Sequence, residues 1–391
     1  MDKQEIIQLS AIELGGLLRR REVSSVEVTR AHLDRIDSVD PKLNAFVTVL
    51  DDQALELSRR ADRELGNGTI RSPLHGVPVA IKDQIHMSGV QTTGGSALWA
   101  DFVPTEDATV VRNLKRAGAI IVGKTTMSEL AFGNFATSAS GMTRNPWDLT
   151  RTPGVSSSGS GAATAALMCP TSLGADTGGS IRNPSANCGL TGLRPSWGRV
   201  SRYGLIGASR FMDTIGPIAR TAEDCAAAMG VVAGHDPRDP YSWNTPVPDY
   251  LASLTGDAAG VRIGLVREML DAEGSGASTE VLDGIASATR VLSGLGAEVS
   301  EVSLPLAKHA GFASHVIIAV ECASLVSSWL RDQADDFDPY NRVQLLAAEL
   351  LPASVYCTAQ KLQSMIRAQT LNAFEEVDVL LTPTMAGTAE K

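Results

Sequence analysis

Two short knots of glycine and serine hold the residue types that could do chemistry. The first is Gly154-Val-Ser-Ser-Ser-Gly-Ser-Gly161 and the second is Thr177-Gly-Gly-Ser180. A small-residue run, Ala162–Leu167, joins them and reads as helix. Glycine lets the backbone leave ordinary φ/ψ space and approach a ligand closely. Successive N–H groups in such a turn can converge on an anion. Ser180, after Thr177, Gly178 and Gly179, is therefore placed to stand beside an oxyanion hole.

A serine nucleophile needs a base. The six histidines are scattered, and His75 and His86, nearest the apolar strand discussed below, read as ordinary core or surface residues. Gly-x-Ser-x-Gly is absent from both knots, which disfavours a hydrolase elbow. The chain has neither Gly-x-x-x-x-Gly-Lys-[Ser/Thr] nor His-Glu-x-x-His. A lysine can serve instead when burial keeps it neutral. Lys82 ends an apolar stretch, precedes Asp83, and is the candidate.

These side chains need rigid elements beneath them. Leu74–Asp83 carries Val77, Val79 and Ile81 in alternation, a strand whose Pro78 predicts a strand start or an edge. Residues 107–117 read as helix and 119–122 as the buried strand after it. Upstream, residues 8–37 predict two helices, capped by Ser10 and by the Ser24-x-x-Glu27 capping box. Residues 51–66 predict a third, ended by Gly66-Asn67-Gly68. Downstream, 222–232 and 278–295 read as helices, with strands at 261–266, 297–302 and 377–381; most of 305–375 reads as helical. Alternating helices and strands, with no composition break and no repeat, predict an α/β chain: one domain, residues 1–391, around one mixed sheet.

Composition narrows the function classes. The 391 residues are 43% hydrophobic and 20% charged, as in a soluble globular protein. A net charge of −10 argues against direct nucleic-acid binding, though a partner can carry the basic surface. Five cysteines without CxxC spacing (Cys169, Cys188, Cys225, Cys322 and Cys357) predict buried thiols in a reducing compartment and no zinc site. The N-terminus shows no apolar signal segment, and no run approaching a membrane span is read, so a cytoplasmic location is expected.

Lys82, Gly154–Gly161 and Asp176–Arg182 together resemble the amidase signature family. Leu74–Asp83, Gly118–Thr125, Thr143–Asp148, Gly189–Pro195, Asp213–Arg220 and Asp378–Pro383 resemble further blocks of that family, so the likeness covers nearly the whole chain. Ser180 follows Ser156 by 24 positions, the spacing of the family's two catalytic serines. The resemblance implies a large mixed β-sheet core covered by helices on both sides. It also implies a Ser–cis-Ser–Lys triad, with Ser180 as nucleophile, Ser156 as proton relay and Lys82 as base. The backbone N–H groups of Thr177, Gly178, Gly179 and Ser180 are implied as the oxyanion hole. Ser157, Asp176 and Arg182 are expected to brace the site, with Arg182 also in reach of a substrate carboxylate. No metal or organic cofactor is implied.

Two departures from the family stand out. Val155 replaces the usual glycine before the relay serine. A β-branched residue crowds that position, so the expectation is either a cis bond with local displacement or a trans bond that takes Ser156 out of line. The family also continues several tens of residues past the Thr-Pro block. A chain ending at Lys391 is expected to expose sheet edge and pocket wall, favouring association. Three functions stay open: a free-standing amidase acting on a small-molecule amide; the A subunit of a glutamyl-tRNA(Gln) amidotransferase, which takes ammonia from glutamine for partner subunits; and a catalytically impaired relative. A homodimer is open as well. Residues 305–360 are expected to shape the substrate pocket.

Overall fold

The computed structural model describes residues 1–133, 138–271 and 276–391. The chain divides into two compact units. The first comprises Met1–Leu254, Leu325–Val343 and Lys391, and the second Thr255–Ser324 and Gln344–Glu390.

The first unit begins with helices α1 (Lys3–Gln8), α2 (Ala11–Arg20) and α3 (Ser25–Leu43). Ser10 with Glu13 and Ser24 with Glu27 form reciprocal capping boxes, which satisfy N–H groups that a helix start leaves bare. Helix α1 is an addition to the predicted pair. It has a capping box of its own, from Asp2 and Glu5. Then follow β1 (Phe46–Val49), α4 (Asp51–Gly66), β2 (Pro78–Lys82), α5 (Thr109–Ala117) and β3 (Ile120–Thr125). The Gly/Ser-rich segments contribute α6 (Ser158–Ala165), β4 (Thr171–Asp176), α7 (Arg182–Cys188), β5 (Thr191–Gly192) and β6 (Thr214–Ala219), followed by α8 (Ala222–Val232).

The strands form a mixed sheet in the order β1-β3-β2-β4-β6-β5. β2 lies parallel to both β3 and β4, so it is central, and Pro78 is its first residue rather than an edge residue. Its side chains alternate between two cores. Val79 and Ile81 pack with residues of α2, α5 and α8. Ala80 packs with residues of α3, α4 and α6. A sheet buried on both faces needs apolar residues at every position, and all five residues of β2 are buried. Helices therefore cover both faces of this sheet, as expected.

The second unit holds a three-stranded parallel sheet in the order β8-β7-β9, from β7 (Arg262–Val266), β8 (Glu298–Val302) and β9 (Val379–Leu381). Val266, Val302, Leu304, Ala307 and Val377 form its small core. The one sheet anticipated from sequence is thus two sheets among the described residues. The reason is pairing: β7 is saturated by β8 and β9 on its two sides.

Two other expectations are corrected. The helix Ala310–Asp332 belongs to a segment, 307–332, that is apolar and long enough to cross a membrane, with mean hydropathy 1.6 over its best window. Its many small residues hide this in a reading by eye. A core helix of a soluble protein meets the same criterion, and 39% of the window is buried. Of the five free cysteines four are buried, and Cys357 is exposed.

Candidate active site

Lys82 is the last residue of β2 and is fully buried. Its Nζ lies 2.7 Å from Ser156 Oγ and 3.5 Å from the carbonyl oxygen of Ala175. Burial disfavours the ammonium and pushes its pKa down to about 7, against the pull of Asp176 and Asp213. Among the described residues no carboxylate touches it: those two act only through space. Burial thus favours the neutral amine, which can act as a base toward the neighbouring Ser156 hydroxyl.

Ser156 sits in the loop before α6. The Val155–Ser156 peptide bond is cis, and the Ser156 hydroxyl stays on Lys82. Of the alternatives posed by Val155, the trans bond is therefore excluded in this structure. The loop is fixed on both sides. Val155 N–H donates to Asn183 Oδ1 at 3.1 Å, and Ser128 N–H donates to the Ser156 carbonyl at 3.1 Å. Gly154 has φ +93°, and a Cβ there would meet Asn183 Oδ1 at 2.4 Å, so this position requires glycine. Ser157, next in the chain, turns elsewhere. Its Oγ donates to Ala175 O at 3.1 Å and accepts from Ala175 N–H at 3.3 Å, which fastens α6 to β4.

Ser180 lies in the turn between β4 and α7, half-buried. Its hydroxyl makes no hydrogen bond among the described residues, nor do the N–H groups of Gly178 and Ser180 donate to any protein acceptor there. The turn is built around Asp176. This carboxylate accepts from Gly179 N–H (2.8 Å) and Ile181 N–H (3.2 Å), from Arg182 Nε and Nη2 (both 3.0 Å) and from Arg194 Nε (3.1 Å). Burial alone would raise its pKa. The two guanidinium groups and the Ile181 N–H outweigh burial and hold it below the usual carboxylate range. The N–H of Gly179 is thus committed to Asp176 rather than offered outward, while those of Gly178 and Ser180 stay open. Thr177 Oγ1 donates to Asp213, whose carboxylate also accepts from Ala208 and Ser209 N–H; burial raises the Asp213 pKa despite these donors.

Lys82 and Ser156 are thus in direct contact, and Asp176 and Arg182 meet at the turn that carries Ser180. Three buried features beside them escaped the sequence reading. Lys124, on β3, lies 3.0 Å from Asp83 Oδ1, both fully buried. That approach is a charge contact off the line of a good hydrogen bond, since Oδ1 has no aligned donor, and Nζ donates instead to Thr92 Oγ1 at 2.7 Å. Asp213 ties the turn that carries Ser180 to a neighbouring loop. Glu129 accepts from Ser96 Oγ, Asp338 N–H and Asn341 Nδ2. Only Lys124 had a usable signal, a lysine inside an apolar strand. Its partner is 41 positions away and cannot be read from spacing. Among the described residues no three or more His, Cys, Asp or Glu side chains gather as metal ligands would.

Likenesses to known proteins show the family. The Amidase family profile matches residues 27–391. The chain is 42% identical over 404 residues to the A subunit of the glutamyl-tRNA(Gln) amidotransferase of Geobacter sulfurreducens, covering 97% of this chain and 82% of that one. The corresponding protein of Acidothermus cellulolyticus is 42% identical, with 98% and 81% covered. Among solved structures, a chain of a vestigial protein complex linked to the origins of an s-triazine catabolic enzyme superposes with TM-score 0.92 at 32% identity, covering 97% and 82%. A bacterial aryl acylamidase superposes at 0.86 and 28%, covering 98% and 81%. The amidotransferase A subunit from Thermotoga maritima gives 0.78 and 31%, with 100% and 80% covered. With the profile spanning most of its length and relatives above 40% identity, this chain belongs to the amidase (amidase signature) family.

Proposed function

We propose that the chain cleaves the C–N bond of a carboxamide through an acyl-enzyme on Ser180. One observation carries this reading: a buried lysine with a depressed pKa, 2.7 Å from a serine hydroxyl. Neutral Lys82 takes the Ser156 proton while Ser156 takes that of Ser180. The Ser180 oxygen forms a bond to the amide carbon, and the carbonyl π pair moves onto oxygen. The open N–H groups of Gly178 and Ser180 suit that oxyanion, each well-aimed donor contributing ~3–4 kcal/mol. The intermediate then collapses. Its C–N bond breaks, the nitrogen takes a proton from Ser156, and Lys82 returns its own to Ser156. Water repeats the sequence on the ester and frees the acid and Ser180. Asp176, Arg182, Arg194 and Ser157 hold the two serine-bearing segments in place.

The setting that the 42% identical relatives support is the A subunit of a glutamyl-tRNA(Gln) amidotransferase. There the amide would be glutamine, and partner subunits would receive the ammonia. A free-standing amidase is the second reading. It is supported by the likeness to the aryl acylamidase (TM-score 0.86, 28% identity). Labelling with a serine-reactive fluorophosphonate, followed by mass spectrometry, tests the chemistry. An adduct on Ser180 that forms far more slowly in K82A is expected, and a folded protein with no adduct supports an impaired relative. Glutaminase activity that rises with added partner subunits supports the first setting. Turnover of other amides by the chain alone supports the second.

A further inference from the structure

A cleft of about 610 Å³ opens in the first unit next to the loop that holds Asp213. Trp99, Phe102, Tyr203, Tyr241, Trp329 and His86 line it. Several of these rings are set edge to face: Trp99 with Trp329 at 5.5 Å and His86 with Phe102 at 5.3 Å. Such volume and lining suit a small organic ligand, and stacked or edge-on rings favour a flat one. Burial, with Lys124 nearby, lowers the His86 pKa, so this ring adds no charge at neutral pH.

The charges are specific. Three arginines reach the cleft, and two are matched by acids. Arg238 lies 3.2 Å from Asp236 and 3.9 Å from Glu106. Arg202 lies 3.7 Å from Asp239 and over the rings of Trp197 and Tyr241. Arg210 has no acidic partner among the described residues. Its Nε donates to Tyr241 Oη at 3.0 Å and its guanidinium stands over the Tyr241 ring at 5.4 Å. That anchoring orients the group while neither Nη atom has a hydrogen-bond partner among the described residues. Asp213 on the cleft floor already accepts three hydrogen bonds. Arg210, exposed at the cleft, is therefore the one of these three guanidinium groups with no acid in contact among the described residues.

We propose that this cleft binds a flat aromatic ligand carrying one carboxylate, with Arg210 as the anion's partner. The floor residue Asp213 holds Thr177 of the nucleophile turn, so an occupied cleft adjoins the segment that presents Ser180. The site is proposed independently of the hydrolase reading. If both hold, aromatic amides with a second, free carboxylate become the substrate class to examine first.

Calorimetric titration of the full chain with 2-naphthoate tests this, with 2-naphthalenemethanol as the uncharged shape control and hexanoate as the flexible acid. We expect 2-naphthoate to bind and both controls to bind about tenfold or more weakly. R210Q should weaken 2-naphthoate by roughly tenfold or more and leave the alcohol unchanged, and R210K should restore part of the loss. No 2-naphthoate binding by the wild type, or equal binding by R210Q, overturns the proposal; the first result is also what a face for a protein partner would give. Fluorophosphonate labelling of the wild type, run in parallel, separates the two readings. Binding through Arg210 without a Ser180 adduct sinks the hydrolase reading and keeps the cleft. An adduct without 2-naphthoate binding does the reverse.

Discussion

Two lysines are buried in the same sheet, on adjacent strands, and their surroundings differ in one respect. Lys124 stands opposite Ile81 in the β2–β3 register, and Lys82 stands opposite Thr125. Side chains alternate across a sheet, so the two lysines leave opposite faces. Lys124 meets a carboxylate, Asp83, whose second oxygen accepts from Thr93 N–H and Oγ1. Lys82 meets a hydroxyl and a carbonyl, and the nearest acids, Asp176 and Asp213, are spent on guanidinium groups, N–H groups and Thr177. Burial lowers the pKa of both lysines. Only Lys124 has an ion pair in contact to resist it. The contrast teaches what distinguishes a structural lysine from a base: where the nearest carboxylate is committed, rather than how deep the ammonium lies.

The largest effect should come from removing the base. K82A should lower the rate of Ser180 acylation by about 10² to 10⁴-fold, the range for a lost proton acceptor, measured by the kinetics of fluorophosphonate labelling. K124M should lose far less, because its nitrogen faces the other side of the sheet. Equal losses in the two variants would erase the distinction.

Next in size is the ion pair. D83N strands a buried ammonium and should destabilise the fold by ~3–5 kcal/mol in urea unfolding. The double variant D83N/K124M should recover much of that loss. No recovery would mean that Asp83 acts through Thr93 rather than through Lys124.

Lys82 should show the opposite sign. Its folded pKa is about 7 and its unfolded value about 10.5. Between those values the unfolded chain binds a proton that the folded chain does not, so stability rises with pH across this window. At and below pH 7 the penalty is full, on the order of 5 kcal/mol. K82M removes that penalty and leaves the Ser156 hydroxyl without its partner, which costs ~1–3 kcal/mol. A net gain of roughly 2 kcal/mol near pH 6 should therefore shrink above pH 7, cross zero at about pH 8 to 9, and become a net loss by about pH 10.5. Destabilisation at pH 6 would mean that the ammonium is better solvated than its burial implies.

The smallest expected effect separates neighbouring hydroxyls. S157A removes both hydrogen bonds to Ala175 and should cost ~1–2 kcal/mol of stability, with labelling slowed less than tenfold. S156A should abolish labelling. Similar behaviour of the two would place the relay in doubt.

Much of this was legible in sequence wherever the signal was local. The capping boxes at Ser10 and Ser24 each close within four residues and fold as read. The strand ending at Lys82 was visible through Val77, Val79 and Ile81. β4 was not, because Thr171-Ser-Leu-Gly-Ala-Asp176 is small, weakly apolar and buried on both faces, so it shows no alternation. β1 is only four residues long. The division into two sheets depends on which strand each edge finds, which no local pattern records. At the candidate site, the family resemblance implied Lys82 and Ser156 as neighbours, and the structure brings them together. The Asp176 web and the Lys124–Asp83 pair are long-range closures, and coordinates were needed to find them. The Gly179 N–H is a further case: its type suited an anion cradle, but the backbone at φ +131° gives it to Asp176.

The most direct test is the pH dependence of Ser180 acylation in the wild-type chain between pH 5 and 9. A neutral Lys82 as base predicts a rate that climbs with pH and levels off above an inflection near 7, and a residual rate in K82A that lacks this inflection. A flat profile in the wild type, or the same inflection surviving in K82A, would contradict the assignment of the base.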